Sequence, residues 1–177
     1  PFNFIVGGRA TGKTYTSLET VKEDGIKFIY MRRTQSQADM INKPEFSPFK
    51  SLNEDHGWTI GSATLSKYNA GFYETEETED GGRHCVGSPI GYTCALSTIS
   101  NMRGFDASDV RLLIYDEFIP EKHERPIKNE GAAFLNAYET INRNRELKGE
   151  KPLQVLCLAN ANDLANPIFL ELGLVRK

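Results

Sequence analysis

Short apolar runs separated by polar, helix-like stretches make up most of this chain of 177 residues. Residues 2–6 form a β-rich apolar run that ends in glycine, and a stretch of helical composition extends from Lys13 to about Gly25. Apolar residues recur at helical spacing across residues 132–147, and the other strand-like runs are residues 26–31, 92–99, 111–115 and 154–159. Strands that alternate with helices are typical of layered α/β domains. We therefore expect an α/β domain with a mainly parallel central sheet.

Two regions have a less regular pattern. Residues 35–57 are mixed, and Pro44 and Pro48 exclude a long helix there. Residues 58–100 alternate short β-like runs with glycines. The acidic residues 74–80 within this region fit a solvated hairpin tip better than a metal site.

The composition is that of one soluble globular domain, with 39% hydrophobic and 25% charged residues. No apolar run approaches the ~20 residues of a membrane helix, and no signal peptide is visible. We therefore expect a soluble, intracellular protein without membrane contact. The cysteines Cys85, Cys94 and Cys157 lack the spacing of a disulfide framework or a zinc site, so we interpret them as incidental thiols.

The formal charge of -3 argues against tight nucleic-acid binding by the isolated domain, but it does not exclude binding by a ring of copies. The chain opens on Pro1 without a methionine and stops after residues 175–177 without a closing signal. We therefore expect residues 1–177 to be a single domain taken from a longer protein.

The octapeptide GGRATGKT, residues 7–14, matches the P-loop (Walker A) pattern GxxxxGK[ST] in full, between a predicted strand and a predicted helix. In such a loop, glycines let successive backbone N–H groups face phosphate oxygens, and the helix N-terminus adds partial positive charge. Lys13 is expected on the β- and γ-phosphates of ATP and Thr14 on Mg²⁺. A glycine turn that carries Lys-Thr by coincidence is the weaker interpretation. The predicted nucleotide-binding residues are Gly7, Gly8, Arg9, Ala10, Thr11, Gly12, Lys13 and Thr14.

The second half of such a site is an acid at the tip of a neighbouring buried strand, and the run RLLIYDE supplies it. We expect Asp116 to hold Mg²⁺ through water and Glu117 to orient and deprotonate the attacking water. An Asp-Glu pair could also be a plain strand-to-turn junction. Together with the P-loop, it indicates ATP hydrolysis rather than phosphate transfer to a small molecule, which needs no base for water.

Hydrolysis leaves charge on the γ-phosphoryl oxygens, and an arginine that stabilises this charge is worth about 10³ to 10⁵ in rate. Arg9, inside the P-loop, could act in cis or bridge to the neighbouring strand. Arg143 and Arg145 are expected at the basic end of a helix, where a favourable interaction with the helix dipole is the alternative role. Asn160 could sense the γ-phosphate or be an ordinary turn residue.

These features together resemble the ATPase domain of phi29-type bacteriophage double-stranded DNA packaging motors. The resemblance spans most of the chain and rests on the order and spacing of GGRATGKT, FIYMRR, LLIYDEFI, RNRE and CLANA. It implies a P-loop NTPase of the additional-strand, catalytic-glutamate (ASCE) class that uses ATP to drive double-stranded DNA into a prohead. It also implies a homopentameric ring at the portal vertex in the host cytoplasm, with a structural packaging RNA in part of the family. We expect residues 1–177 to lack the nuclease-like C-terminal domain of such motors.

Carried over by position, the resemblance implies a role for each matching residue. Lys13 and Thr14 look like the phosphate and Mg²⁺ ligands, Asp116 like the Walker B acid and Glu117 like the catalytic base. Asn160 matches a sensor-like asparagine.

For the trans-acting residues, Arg143 looks like the finger that reaches the next subunit's ATP, with Arg145 beside it as a second catalytic candidate. Arg103 falls where relatives have a basic residue that acts across the subunit interface. The chain departs from the family pattern at Gln35, where the pattern has lysine, and the acidic residues 74–80 have no counterpart.

Other classes stay open on the residues alone. A helicase-like or AAA-type ATPase would act on another polymer, but the chain lacks a helicase threonine-rich motif and an AAA-type helical lid. A non-enzymatic nucleotide switch would bind ATP without turnover, and Glu117 separates it from the motor. A small-molecule kinase is the poorest interpretation, because no acceptor-site motif is visible.

Overall fold

A computed structural model describes residues 2–102, 104–121, 124–161 and 166–174 of the chain. The strands in these ranges are β1 (Phe2–Gly7), β2 (Phe28–Arg32), β3 (Ile60–Ser66), β4 (Asn69–Glu77), β5 (Arg83–Ala95), β6 (Leu112–Asp116) and β7 (Gln154–Asn160). The helices are α1 (Lys13–Glu23), α2 (Gln35–Ile41), α3 (Lys50–His56), α4 (Glu130–Asn142) and α5 (Pro167–Glu171). Short 3₁₀ helices cover Pro44–Phe46, Leu96–Met102 and Arg145–Lys148.

The strands form one seven-stranded sheet in the order β1-β7-β6-β2-β5-β4-β3. The first five of these are mutually parallel, and β4 and β3 extend the sheet as an antiparallel hairpin. The expected mainly parallel α/β sheet is thus confirmed. Because the carboxyl ends of parallel strands meet at one edge, β1, β2, β6 and β7 deliver Gly7, Arg32, Asp116 and Asn160 to the same edge.

Apolar layers cover both faces of the sheet, as parallel strands require. One core cluster joins alternate residues of β2, such as Phe28 and Tyr30, to Leu18 of α1 and Leu52 of α3. The other joins the intervening strand residues to the apolar faces of α4 and α5. A Cβ on Gly131 would lie 2.7 Å from the Pro167 carbonyl oxygen, so glycine at this position lets α4 pack closely against α5.

Residues 35–57 contain two helices that the sequence pattern did not predict. The first, α2, begins with a capping box in which the Thr34 and Gln37 side chains each bond the other residue's backbone N–H. The Thr-x-x-Gln spacing of Thr34 and Gln37 is a sequence signal for the start of such a helix. The second, α3, is seven residues long, too short for periodicity to identify. The prolines have the expected effect, since Pro44 opens a 3₁₀ turn rather than extending α2.

The predicted helix over residues 132–147 is wrong at both ends. α4 begins earlier, at Glu130, and ends at Asn142, because Arg143 and Asn144 both adopt the left-handed backbone conformation, with φ of 50° and 55°. Arg143 is therefore the residue that caps the C-terminus of α4, and Arg145 lies in the short 3₁₀ helix that follows. The strand predicted over residues 92–99 is likewise wrong beyond Ala95, where a 3₁₀ helix begins.

The hairpin of β4 and β5 confirms the hairpin interpretation of the acidic segment, whose last residues form the turn between Glu77 and Arg83. All three cysteines are free thiols, and Cys94 and Cys157 are buried. Among the described residues, no helix has the length and apolar character needed to cross a membrane.

Candidate nucleotide-binding site

The P-loop joins the end of β1 to the start of α1, in the context that the motif requires. Ala10 and Gly12 have φ of 56° and 76°, so the loop alternates conformations in the way that turns backbone N–H groups toward one side. At Gly12 this left-handed backbone favours glycine. The first turn of α1 has no side-chain cap and no acidic residue. Its N–H groups and the positive end of its dipole therefore suit an anion.

Lys13 lies at the centre of this loop. Its Nζ donates to the carbonyl oxygen of Gly8 at 2.5 Å and to Thr11 Oγ1 at 3.2 Å. Nζ also lies 3.4 Å from Asn160 Oδ1, so two predicted site residues from different elements are in contact. The ammonium group is thus held at the mouth of the loop, where it can exchange carbonyl partners for phosphate oxygens.

Asp116 accepts hydrogen bonds on both carboxylate oxygens. The Thr14 hydroxyl donates to Oδ2 at 2.8 Å, and the backbone N–H of Glu117 donates to Oδ1 at 2.9 Å. The Tyr30 hydroxyl, from the neighbouring strand β2, also donates to Oδ2. A hydroxyl next to a carboxylate is an oxygen donor set of the kind that Mg²⁺ prefers, so the residues present fit the predicted metal.

Glu117 has a strained backbone, with φ of 53°, at the point where the chain leaves β6. Such left-handed residues cost of order 1–3 kcal/mol and concentrate at functional sites. The Glu117 carboxylate accepts from the guanidinium of Arg32, which also lies 3.7 Å from Asp116 Oδ2. Arg32 is largely buried, with 13% of its side chain exposed. One cation therefore faces both the predicted metal-binding acid, Asp116, and the predicted base, Glu117.

Burial and neighbouring charges together shift the pKa values of the two groups from β2. Burial raises the pKa of the Tyr30 phenol well above its usual value, and the charge of Asp116 adds to the effect, so the phenol is a donor. Burial acts to lower the pKa of Arg32, but the neighbouring charges, those of Glu117 and Asp116 among them, outweigh it and give a net rise. The guanidinium therefore stays charged.

A cleft of about 410 Å³ opens at this edge of the sheet. It brings together the P-loop, both predicted acids and Asn160. Its lining residues are Arg9, Ala10, Thr11, Gly12, Lys13, Thr14, Tyr15, Asp116, Glu117, Glu121, Ala159 and Asn160.

Arg9 does bridge from the P-loop, but to the segment that follows β6 rather than to a strand. Its guanidinium pairs with Glu121, and 68% of the Arg9 side chain is exposed. The segment is fixed in turn by Glu124, whose Oε2 accepts from the backbone N–H of Glu121 at 2.8 Å. Arg9 therefore lines the cleft, and its side chain is held by an exposed ion pair.

The other predicted arginines lie elsewhere. Within the described ranges, the cleft lining includes neither Arg143 nor Arg145. Arg143 is 39% exposed at its side chain, donates to the carbonyl of Phe105 and lies 3.4 Å from Asp106. Arg103 lies outside the described residues.

Arg145 is buried and bonded to the backbone of a neighbouring loop. It is 2% exposed, and its guanidinium donates to the carbonyl oxygens of Val110 at 2.6 Å and Ala107 at 2.8 Å. In this conformation the side chain fastens the loop before β6 and does not reach the cleft.

Sequence reasoning gave no role to Tyr30, Arg32 and Glu121, although all three contact predicted site residues. The pattern FIYMRR placed Tyr30 and Arg32 on a strand, but it did not say that this strand pairs with β6. An arginine at the carboxyl end of an apolar strand was the available signal, since that end of a parallel sheet is where sites form.

The whole chain, residues 1–177, matches a family model described as the podovirus DNA encapsidation protein (Gp16). The chain belongs to this family. Among curated relatives of this Gp16-family chain, the DNA packaging protein of Bacillus phage B103 is 30% identical over 179 residues. That of Bacillus phage phi29 is 29% identical over 178 residues, and each alignment covers 98% of the chain. The alignments cover 48% of the B103 protein and 46% of the phi29 protein, so the chain spans about half of their length.

Solved structures agree with this membership of the Gp16 family. The N-terminal domain of the DNA packaging ATPase from bacteriophage phi29 superposes with a TM-score of 0.66 at 28% identity, covering 99% of the chain and 81% of that domain. The Phi-28 gp11 DNA packaging motor gives a TM-score of 0.69 at 26% identity, covering 98% of the chain and 50% of its own.

Proposed function

We propose that this domain binds and hydrolyses ATP and that the protein containing it uses the energy to package double-stranded viral DNA into a phage prohead. One observation carries the proposal: a single cleft joins Lys13 and Thr14 of a P-loop to the acids Asp116 and Glu117. Family membership and the packaging ATPase and motor among its relatives support the choice of DNA as the polymer.

The sheet order supports assignment to the ASCE class of P-loop NTPases. β7 lies between the P-loop strand β1 and the acid-bearing strand β6, which is the additional strand of that class. Glu117 follows Asp116 at the end of β6 and lines the same cleft as the P-loop, which is where a catalytic glutamate of this class is expected.

The predicted site residues of the cleft each have a task in the proposed reaction. The P-loop N–H groups and Lys13 bind the phosphates, while Thr14 and Asp116 would hold Mg²⁺, which would supply charge neutralisation at the phosphates. Glu117 accepts the proton of the attacking water, and Asn160, already against Lys13, contacts the γ-phosphate. Arg9 lines the same cleft, so it would leave Glu121 to contact this phosphate.

Arg32 gives this site a resting state. While its guanidinium pairs with Glu117, the carboxylate is turned toward β2 and accepts a charged donor instead of a water proton. Breaking this pair would free both carboxylate oxygens of Glu117 for the attacking water. The Glu117 side chain is 54% exposed, so solvent screens the pair, and Arg32 keeps Asp116 at 3.7 Å as a charged partner when Glu117 moves.

For the complete protein, we propose a ring of copies, with five as the expected number, at the portal vertex of the prohead in the host cytoplasm. Double-stranded DNA and the portal are the proposed partners, with a structural RNA as a further one. The Phi-28 gp11 structure is described as a DNA packaging motor, which supports this assembly.

Lys13→Ala tests nucleotide binding. We expect Mg-ATP affinity measured by calorimetry to fall at least about tenfold, because a charge-assisted contact to phosphate is worth about 1.5–3 kcal/mol. Lys22→Ala is the matched control, since Lys22 lies on the same helix and pairs with Glu74 away from the cleft. Equal, normal affinity in both variants would remove the P-loop assignment.

Glu117→Gln tests hydrolysis. We expect ATP turnover to fall about 100-fold or more, because general-base catalysis contributes about 10²–10⁴ in rate. Mg-ATP affinity should stay within about threefold of wild type, because the amide is isosteric and Glu117 is not a phosphate ligand. A wild-type protein whose turnover equals that of Glu117→Gln would instead be a nucleotide-binding switch.

A further inference from the structure

Tyr30 brings a hydroxyl group to the predicted metal site from within the core. The residue lies on β2, in register with Ile114 of β6, and is 1% exposed. Its ring packs in an apolar cluster with Phe28, Ile114 and Leu158. Phenylalanine would fill this space equally well, so the hydroxyl is the part of the side chain that packing does not require.

The hydroxyl donates to Asp116 Oδ2, the same oxygen that accepts from Thr14. The opposite oxygen, Oδ1, is fixed by the backbone N–H of Glu117. Without Tyr30, Oδ2 would keep only Thr14, itself a proposed metal ligand, and Arg32 at 3.7 Å as partners among the described residues. Among the described residues, Tyr30 is therefore the hydrogen-bond donor to Oδ2 that is not itself a proposed metal or phosphate ligand.

We propose that Tyr30 is a positioning residue that fixes the Asp116 carboxylate for Mg²⁺-dependent nucleotide binding. This inference rests on the proposed function of the cleft. A hydrogen bond to a carboxylate is charge-assisted and directional, so it holds both the ring and the acid in one orientation. Partners that orient a metal ligand in this way are typically worth about 10–100-fold in metal affinity or activity.

The test is Tyr30→Phe, with ATP affinity measured by calorimetry in excess Mg²⁺ and again in EDTA. We expect affinity in Mg²⁺ to fall about tenfold, whereas affinity in EDTA stays within about twofold of wild type. A merely structural role would lower both affinities together.

Tyr115→Phe is the matched control. Tyr115 lies on the adjacent strand, is fully buried and donates to a carboxylate, that of Glu130, at 3.4 Å on the opposite face of the sheet. We expect this variant to keep the wild-type ratio of the two affinities. An unchanged ratio in Tyr30→Phe, or the same change in Tyr115→Phe, would overturn the inference.

The two hypotheses fail in different ways. If only the inference is wrong, wild-type protein still binds ATP more tightly in Mg²⁺ than in EDTA and Tyr30→Phe behaves identically. If the wild-type protein shows no magnesium dependence at all, the proposed function of the cleft is wrong and the inference falls with it.

Discussion

Arg143→Ala, introduced into the full-length protein under conditions that assemble rings, is expected to lower ATP turnover by about 1,000-fold or more. The physical reason is that the cleft, within the described ranges, receives neither Arg143 nor Arg145 from its own chain. Arg143 instead stands at the surface beyond the end of α4, 39% exposed and bonded to Phe105 and Asp106. Such a side chain can leave its surface contacts without disturbing its own core, as action on a neighbouring copy would require.

Mixing two inactive proteins separates action in trans from action in cis. Arg143→Ala keeps an intact Glu117, and Glu117→Gln keeps an intact Arg143, so adjacent copies of the two restore complete sites. We expect turnover of the mixture to exceed that of either variant alone. Arg111→Ala is the control, because Arg111 is an exposed arginine that also donates to a backbone carbonyl, that of Ser108 at 2.7 Å. Full activity of Arg143→Ala by itself would contradict the assignment.

The parts of the site that the sequence predicted are those carried by local patterns. Residues 7–14 and the run that ends in Asp116 each combine an apolar strand with polar residues of fixed type and spacing, so no knowledge of the sheet order was needed. The contact of Lys13 with Asn160 was not predicted, but it agrees with the rule that parallel strands end at the same edge.

The parts that were missed depend on pairings between distant segments. Arg32 and Arg33 are adjacent in sequence, yet strand alternation sends their side chains in opposite directions. Arg32 faces Glu117, whereas Arg33 faces Glu124 and Glu130 on the far side of the sheet. Nothing in the local sequence distinguishes the two arginines, because their partners are set by the position of β2 beside β6.

The end of α4 was missed for a different reason. Residues 143–147 contain no proline or glycine, and Arg143 and Asn144 have ordinary helix propensities, so the pattern predicted a longer helix. Tertiary contacts decide otherwise: the buried Asn142 side chain accepts from the backbone N–H of Leu153 at 2.9 Å, and Arg145 is drawn into the loop before β6. Local preference gives way to these buried hydrogen bonds.

Glu130→Ala is expected to destabilise the fold by about 3–5 kcal/mol, because removing one partner of a buried ion pair leaves the other charge uncompensated. Arg33 is 0% exposed, and its Nε and second terminal nitrogen donate to the two oxygens of Glu130 at 2.7 and 3.0 Å. After the substitution, Arg33 would keep Glu124, at 3.4 Å, as its charged partner. Urea denaturation with an unchanged m-value measures the loss.

Two further variants test whether the loss of unfolding free energy comes from the buried ion pair or from the removal of any acid from α4. Glu139→Ala removes an exposed glutamate from the same helix and should change the free energy of unfolding by no more than about 0.5 kcal/mol. Arg33→Met combined with Glu130→Leu removes both charges and should recover most of the stability lost in Glu130→Ala. A loss below about 1 kcal/mol in Glu130→Ala would mean that water reaches Arg33 and that the pair is not buried in solution. Because this pair ties the end of β2 to the first turn of α4, its loss should also loosen the helix that ends beside Arg143.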